Sequence, residues 1–298
     1  MTTSVHTPAS STPPRAGRRH RVVGGAPEAR GHLWVYTVLT GGLVLLVGPF
    51  VWMLLGSFKT NAEVRQVPPT WLPESPTLKN YRDLFTQLDF PQFFLNSTLV
   101  AVAITAGNLV FCSMLGYALA KLQFPGRRVV FALVLGMLMV PGMVYFVPLF
   151  MLVSQLGMVN SYAGLILPWL AQPLGVFLMR QFILGLPDDL IHAARVDGAG
   201  EWRIFARVIL PLCGPALATL GILQFLATWN NFLWPLVVAQ SEDKYTLPVA
   251  LALYAIGENN TRYGLLMAGS VAVIVPILIV FVLLQRYFVQ GIAMTGLK

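Results

Sequence analysis

The sequence predicts an all-α integral membrane protein with six transmembrane helices and both termini on the cytoplasmic side. Three observations carry that expectation. Of 298 residues, 56% are hydrophobic and 11% charged, against roughly 45–50% and 25% in soluble domains, and the mean hydropathy is +0.69. Charge is also excluded from long stretches: no Asp, Glu, Lys or Arg occurs in 31–58, 90–120, 129–179, 208–241 or 263–285. A spanning helix needs about 20 mostly apolar residues, so four of these stretches fit one span each and 129–179, with Pro148, Gly157, Asn160 and Pro168 inside it, fits two. Finally, 14 Lys and Arg fall on the side of the N-terminus (Arg15 to Arg30, Lys121 to Arg128, Arg180 to Arg207, Arg286, Lys298) and 6 on the other (Lys59, Arg65, Lys79, Arg82, Lys244, Arg262). Loops rich in Lys and Arg stay cytoplasmic.

Residues 1–30 are rich in Ser, Thr, Pro, Gly and Arg and lack apolar periodicity, which predicts a disordered cytoplasmic tail. The first span, about 33–56, is too long for a signal-peptide core and lacks a clear small-x-small cleavage site, so it is expected to be retained. The segment 59–91 is punctuated by Pro68, Pro69, Pro73 and Pro76 and is external, with a short interfacial helix at Tyr81–Phe85. The second span covers about 92–119, and Phe124-Pro125-Gly126 turns the chain at the inner face. The third and fourth spans, about 129–147 and 163–182, flank a short external loop. The fifth is placed at about 212–238 and the sixth at about 264–288, completing a six-helix domain over 31–298. Prolines inside spans (Pro141, Pro173, Pro215, Pro235, Pro276) predict kinks, since each removes an N–H and clashes with the preceding turn.

Between the fourth and fifth spans lies a charged island, about 185–210, expected at the cytoplasmic surface. Pro187-Asp188-Asp189 is a helix-start signal in which Asp188 can cap and both carboxylates favour the positive helix end. A short helix is predicted over about 189–196, with Leu190, Ala193 and Ala194 forming a small-residue face. Asp197-Gly198 supplies a turn, and Glu201-Trp202-Arg203-Ile204-Phe205 begins a second helix that enters the membrane after Pro211. Such a loop is placed to touch a soluble partner.

Within the spans, Asn108, Gln172, Gln224, Thr228, Asn230 and Asn231 interrupt apolar sequence, with Trp229 and Trp234 beside them. Two readings stay open: amides and aromatics lining a path for a hydroxylated solute, or hydrogen bonds between neighbouring helices. The spans hold no ionisable residue that an ion-coupled carrier or proton relay would use. There is no phosphate-binding Gly-x-x-x-x-Gly-Lys-Ser/Thr loop, no His-Glu-x-x-His and no Gly-x-Ser-x-Gly. His6, His20, His32 and His192 do not cluster, and Cys112 and Cys213 fall at apolar positions without Cys-x-x-Cys spacing, so no catalytic or metal site is expected and both cysteines read as small buried hydrophobes. The basic residues are scattered among loops, which predicts attraction to anionic lipid and no nucleic-acid site. A membrane-embedded enzyme would need clustered ionisable groups at one face; a channel or scaffold subunit is the other alternative, and unlike a pump subunit it would not co-purify with an ATPase.

The island resembles the cytoplasmic loop of permease subunits in binding-protein-dependent sugar importers, ABC transporters of the maltose-transporter MalG type. The family's loop reads Glu-Ala-Ala-x-x-Asp-Gly-Ala, then Phe, then Ile/Val-x-Leu-Pro; Ala193, Ala194, Asp197, Gly198, Ala199, Phe205, Val208, Leu210 and Pro211 stand in register. The similarity extends through SFKTNAEV, NYRDLF, NST, GYALAKLQFPGRR, TWNNFLWPLVV and QRYFVQGIAMTGLK, in order, and so covers nearly everything after about residue 30. It implies a type I importer permease in a prokaryotic plasma (inner) membrane, paired with a second homologous permease subunit, two ATPase subunits and an extracytoplasmic solute-binding protein. ATP and Mg would sit on the ATPase, with no cofactor on this chain, and alternating access would be driven through Asp188, Asp189 and the loop that follows. One position departs. His192 stands where the family has glutamate, and an imidazole cannot replace that carboxylate in a salt bridge to the ATPase, leaving Asp188 and Asp189 as the neighbouring acids.

Overall fold

The computed structural model describes residues 33–255 and 261–295. The expected tail 1–30 and the last three residues lie outside them. The chain divides into two units, 1–49 and 50–298. Helix α1 (Leu33–Ser57) contains Pro49. The second unit then runs through α2 (Asn61–Val64), α3 (Lys79–Thr86), α4 (Phe90–Lys121), α5 (Arg127–Met139), α6 (Gly142–Gln155) and α7 (Tyr162–Ile166). A 3-10 turn, Leu167–Trp169, leads to α8 (Pro173–Leu184), α9 (Asp189–Val196) and α10 (Glu201–Ile204). A π turn, Phe205–Ile209, joins α10 to α11 (Leu210–Leu212), followed by α12 (Gly214–Trp229), α13 (Leu233–Val238), α14 (Leu247–Ala255) and α15 (Tyr263–Thr295).

Trp34–Ser57, Phe90–Lys121, Tyr162–Leu184 and Tyr263–Leu283 are each long and apolar enough to cross a membrane. Two further stretches reach that length only as bent pairs: α5 with α6 at 106°, and Glu201–Leu212 with α12 at 78°. The outer faces are apolar: Leu95 and Leu99 on α4, Leu133 and Met137 on α5, Met143 and Val147 on α6, Leu278 and Val282 on α15 are all exposed. Exposed aliphatic faces of this extent suit lipid, and the chain is a multi-pass membrane protein.

Three expected spans are interrupted, 163–182 by the 3-10 turn and the non-helical residues 170–172 before α8. The continuous helix expected at 129–147 breaks at Val140, which is extended (φ −84°, ψ 117°) before Pro141; a residue preceding proline is pushed out of the α region. At about 1.5 Å per residue, neither 13-residue α5 nor 14-residue α6 reaches about 30 Å alone. The helix expected at 212–238 stops at Trp229. Asn230 Nδ2 donates back to the Leu226 carbonyl at 2.9 Å, and Asn231 Oδ1 accepts from the Trp234 N–H at 3.3 Å, at the start of α13. These side chains offer the backbone partners that a continuous helix would supply.

Helix α4 is central, packing on α7, α8, α12 and α14. Val100, Ala101, Ile104, Asn108, Cys112 and Gly116 recur three or four apart and are buried, the spacing of one helical face. Against α8 the approach is close: a Cβ on Gly116 would lie 2.8 Å from Met179 Cβ, and one on Gly175 2.8 Å from Cys112 Sγ. Small residues let membrane helices gain van der Waals contact that lipid cannot otherwise be displaced to give. Cys112 and Cys213 are both free and buried. Near the α1–α2 connection, α3 is tied by Arg262–Asp83 at 2.7 Å and by Asn80 Nδ2 donating to the Ser57 and Lys59 carbonyls at 2.8 Å each.

Candidate functional site

Two places gather the residues singled out in the sequence. The first is the loop that carries α9. Its turn is closed by Gly198 in the left-handed region (φ +78°), with the Gly198 N–H donating to the Arg195 carbonyl at 3.0 Å and the Ala199 N–H to Ala194 at 2.9 Å. Glycine is favoured there because a Cβ would crowd the following carbonyl. Asp188 precedes α9 but makes no side-chain cap. Its carboxylate instead accepts from Lys121 Nζ at 2.6 Å, and the same ammonium donates to the Leu186 carbonyl at 2.6 Å. Lys121 is enclosed, at 5% side-chain exposure, while Asp188 faces out at 68%. The hydrogen bond from Lys121 and its positive charge hold the Asp188 carboxyl below its ordinary pKa.

A second polar latch closes the loop. Tyr117 Oη donates to Glu201 Oε2 at 2.8 Å, and Arg195 Nη2 donates to Glu201 Oε1 at 2.9 Å. Below it Ile191, Ile204, Phe205, Ile209 and Cys213 join the core formed with α4 and α8, and the Phe205 ring leans on Tyr117 at 5.5 Å. Asp189, His192, Ala193, Asp197 and Pro211 are exposed, and Ala199 and Leu210 are half-buried. Leu190, Val196 and Trp202 present apolar surface, at 40%, 87% and 70% exposure. Ala194 departs from the expected outward face and packs on the core. His192 lines a recess of about 700 Å³ with Lys121, Arg127, Arg195, Asp188 and Glu201. Lys121, Tyr117 and Glu201 were not singled out by the sequence, because nothing local couples positions 67 to 84 residues apart.

The second place is a cavity of about 260 Å³ where α4 and the ends of α12 and α13 face the bend between α7 and α8. Gln172, Gln224, Thr228 and Asn231 reach it, beside Trp169, Trp229 and Trp234. Asn108 does not line it. The Asn108 side chain donates to the Ile104 and Trp169 carbonyls at 2.9 and 2.7 Å and accepts from the Gln172 N–H at 2.9 Å and from Cys112 Sγ at 3.4 Å. Wholly buried, it satisfies the backbone groups that Pro173 and the bend set free, the role membrane interiors demand of some neighbour. Asn230 is likewise absent from the cavity and exposed. The sequence thus marked six polar positions of which four converge. It missed Trp169 and Thr246, whose buried Nε1 and Oγ1 lack a hydrogen-bond partner among the described residues; leaving such a group unpaired costs about 1–3 kcal/mol.

Comparison with known proteins adds the following. Residues 112–294 match the family described as "Binding-protein-dependent transport system inner membrane component". The chain is 43% identical to the arabinooligosaccharides transport system permease protein AraQ of Halalkalibacterium halodurans, over 89% of this chain and 96% of that protein. It is 33% identical to the sn-glycerol-3-phosphate transport system permease protein UgpE of Pectobacterium atrosepticum, over 87% and 95%. Among solved structures it is similar to a chain of a bacterial ABC transporter involved in import of the acidic polysaccharide alginate, with a TM-score of 0.78, 25% identity, and coverage of 89% of this chain and 99% of that one.

Proposed function

The chain belongs to the family of inner membrane components of binding-protein-dependent transport systems, and from that premise we propose that it is the permease subunit of an ATP-driven importer for a sugar or sugar-like solute. It is not itself an enzyme; relatives of this kind are pore subunits. In this reading the six spans are α1, α4, the bent pair α5–α6, the run from α7 through α8, the bent run from α10 to α12, and α15. The termini and the α9 loop face the cytoplasm, a placement supported by the distribution of Lys and Arg. The membrane is a bacterial inner membrane. A second homologous permease completes the pathway, two ATPase subunits carry ATP and Mg, and a solute-binding protein delivers the solute from outside, as in a similar structure, 16% identical, of a bacterial alginate ABC transporter in complex with an alginate pentasaccharide-bound periplasmic protein.

One observation carries the mechanism. Helix α9 is fastened to α4 at Lys121–Asp188 and, through Arg195–Glu201 and Tyr117–Glu201, by way of the start of α10, while Leu190, Ala193, Val196 and Trp202 face outward. A partner gripping that outward surface moves a short rigid lever instead of a slack loop, and the latches pass its displacement to α4 and α10. Closure of the ATPase pair would thereby reorient the spans between inward and outward access. With His192 at the family's glutamate position and Asp188 paired with Lys121, Asp189 is the exposed acid left at the start of α9, and the rest of the grip is apolar and shape-driven. The test is affinity purification of the tagged chain from its native membrane. A second permease and an ATPase should accompany it, with ATP hydrolysis rising when the binding protein and its solute are added. A chain that purifies alone overturns the reading.

A further inference from the structure

Arginines gather where α4 ends, α5 begins and α8 nears its own end. Arg127 turns back on the α4 C-terminus and donates from Nε, Nη1 and Nη2 to the Leu119, Leu122 and Ala120 carbonyls at 2.9, 3.1 and 3.0 Å. Arg180 stands about one turn inside the apolar run Tyr162–Leu184. Its Nε donates to the same Leu119 carbonyl at 3.3 Å, and its guanidinium carbon lies 3.7 Å from the centre of the Phe131 ring on α5. The two terminal nitrogens of Arg180 have no hydrogen-bond partner among the described residues. Arg128, next in the chain to Arg127, is exposed, and its side chain bonds to no described residue. The ion pairs among the described residues are Lys121–Asp188, Arg195–Glu201, Lys244–Asp243 and Arg262–Asp83, so none of these three arginines has a carboxylate. Asp188 shares a recess with Arg127 but is already paired with Lys121. A helix C-terminus supplies about half a negative charge, so the end of α4 balances only a small part of three positive ones. An ionisable group inside a spanning segment is costly unless partnered. From Arg128 an aliphatic stripe runs along α5 into the span: Val129, Leu133 and Met137, four residues apart, are 63%, 63% and 62% exposed.

We infer that this corner binds one anionic phospholipid, its phosphodiester held by Arg128 and the terminal nitrogens of Arg180, and an acyl chain lying along Val129, Leu133 and Met137. A guanidinium presents two parallel N–H groups that match two phosphate oxygens. The stripe beside it gives an acyl chain van der Waals contact that a soluble phosphate cannot use. The bound headgroup supplies the missing counter-charge at the junction of α4, α5 and α8, and so fastens the arm α5 to the central helix. The inference rests on the multi-pass membrane assignment and not on the solute or the ATPase: an inverted topology would move the lipid to the other leaflet without abolishing the site.

Native mass spectrometry tests this on the purified, delipidated chain with the subunits that accompany it, titrated with phosphatidylglycerol or with zwitterionic phosphatidylcholine. The first phosphatidylglycerol should bind at least about fivefold more tightly than phosphatidylcholine, and excess inorganic phosphate should not displace it. Arg128→Gln and Arg180→Gln should each weaken that first step about fivefold, the worth of one arginine beside an anionic headgroup. Because Arg128 is exposed, its variant keeps the fold even where Arg180→Gln does not. Arg207→Gln removes an exposed arginine from the turn after α10 and controls for general surface charge; the first step should stay within about twofold. Equal affinity for the two lipids, an unchanged first step in Arg128→Gln, or an equal loss in Arg207→Gln would each overturn the site. Displacement by inorganic phosphate would overturn it too, by making the ligand a free anion. Those results leave the importer reading standing, because that reading stands or falls on whether the ATPase co-purifies.

Discussion

Asn108 and Gln172 look alike in the sequence, each a lone amide in an apolar helix, yet the fold gives them opposite duties. Asn108 uses its whole side chain on four neighbours at the bend, whereas Gln172 lends only its backbone and leaves its amide in the cavity. Asn108→Leu orphans the Trp169 carbonyl and the Gln172 N–H together, at about 1–3 kcal/mol for each buried group, and is expected to destabilise the chain by at least about 2 kcal/mol. Thermal unfolding in detergent reads this out, and a variant as stable as wild type contradicts the assigned role. Gly198 tests coupling with little structural disturbance. A Cβ there meets nothing within 4 Å, so the cost of Gly198→Asp is confined to its φ of +78°, about 1 kcal/mol and least for Asp and Asn among side-chain-bearing residues. The variant should insert and accumulate normally while solute-stimulated ATP hydrolysis falls at least about tenfold. Full activity would remove the α9 turn from the coupling path.

At the scale of elements, α9 is too short to be stable alone, since isolated helices under about 12 residues are marginal in water, and its order depends on the latches and on Ile191. Loss of the Lys121 contact in Asp188→Ala should therefore raise hydrogen exchange over 189–204 without disturbing α4. Unchanged exchange would mean that apolar packing alone holds the loop. The sign of the pH dependence follows from the lowered pKa of Asp188. A carboxyl that binds protons less readily when folded contributes fully above its unfolded pKa, about 3.9, and loses that contribution as pH falls through the lower folded value. Protection of α9, corrected for intrinsic exchange, should thus be flat from about pH 5 to 8 and decline only below about pH 4. The bends at Val140-Pro141 and Cys213-Gly214 belong to the same scale: each divides a mostly apolar stretch into two helical arms of different direction.

For the whole molecule the decisive question is which ends face which compartment. Glu74, Asp243 and Gly198 are all exposed, so each can carry a labelling cysteine once Cys112 and Cys213 are replaced by Ala. A membrane-impermeant maleimide applied to intact cells should label Glu74→Cys and Asp243→Cys but reach Gly198→Cys only after permeabilisation. Labelling of Gly198→Cys from outside would invert the topology and with it the placement of the ATPase. The same architecture explains why the apolar outer faces of α4, α5, α6 and α15 need no protein partner to be tolerated: in lipid their exposure costs nothing that burial would recover.

The sequence by itself determined the class of molecule, because exclusion of charge from five long stretches and an asymmetric scatter of Lys and Arg leave few alternatives in a bilayer. It also located the α9 helix at 189–196 and its glycine turn, since helix-start residues and Gly198 act over a few positions, although Asp188 pairs with Lys121 and does not cap. Tertiary structure decided the rest. At Pro141 the sequence favoured a kinked but continuous span, whereas Val140 leaves the α region and the chain turns by 106°. Which amides serve the backbone and which face a cavity was settled by contacts across about 60 to 70 residues of chain, from Asn108 to Trp169 and Gln172 and from Trp234 to Gly164. Partners so far apart carry no local signature. Hydrogen bonds form between neighbours in space, and only folding makes those residues neighbours.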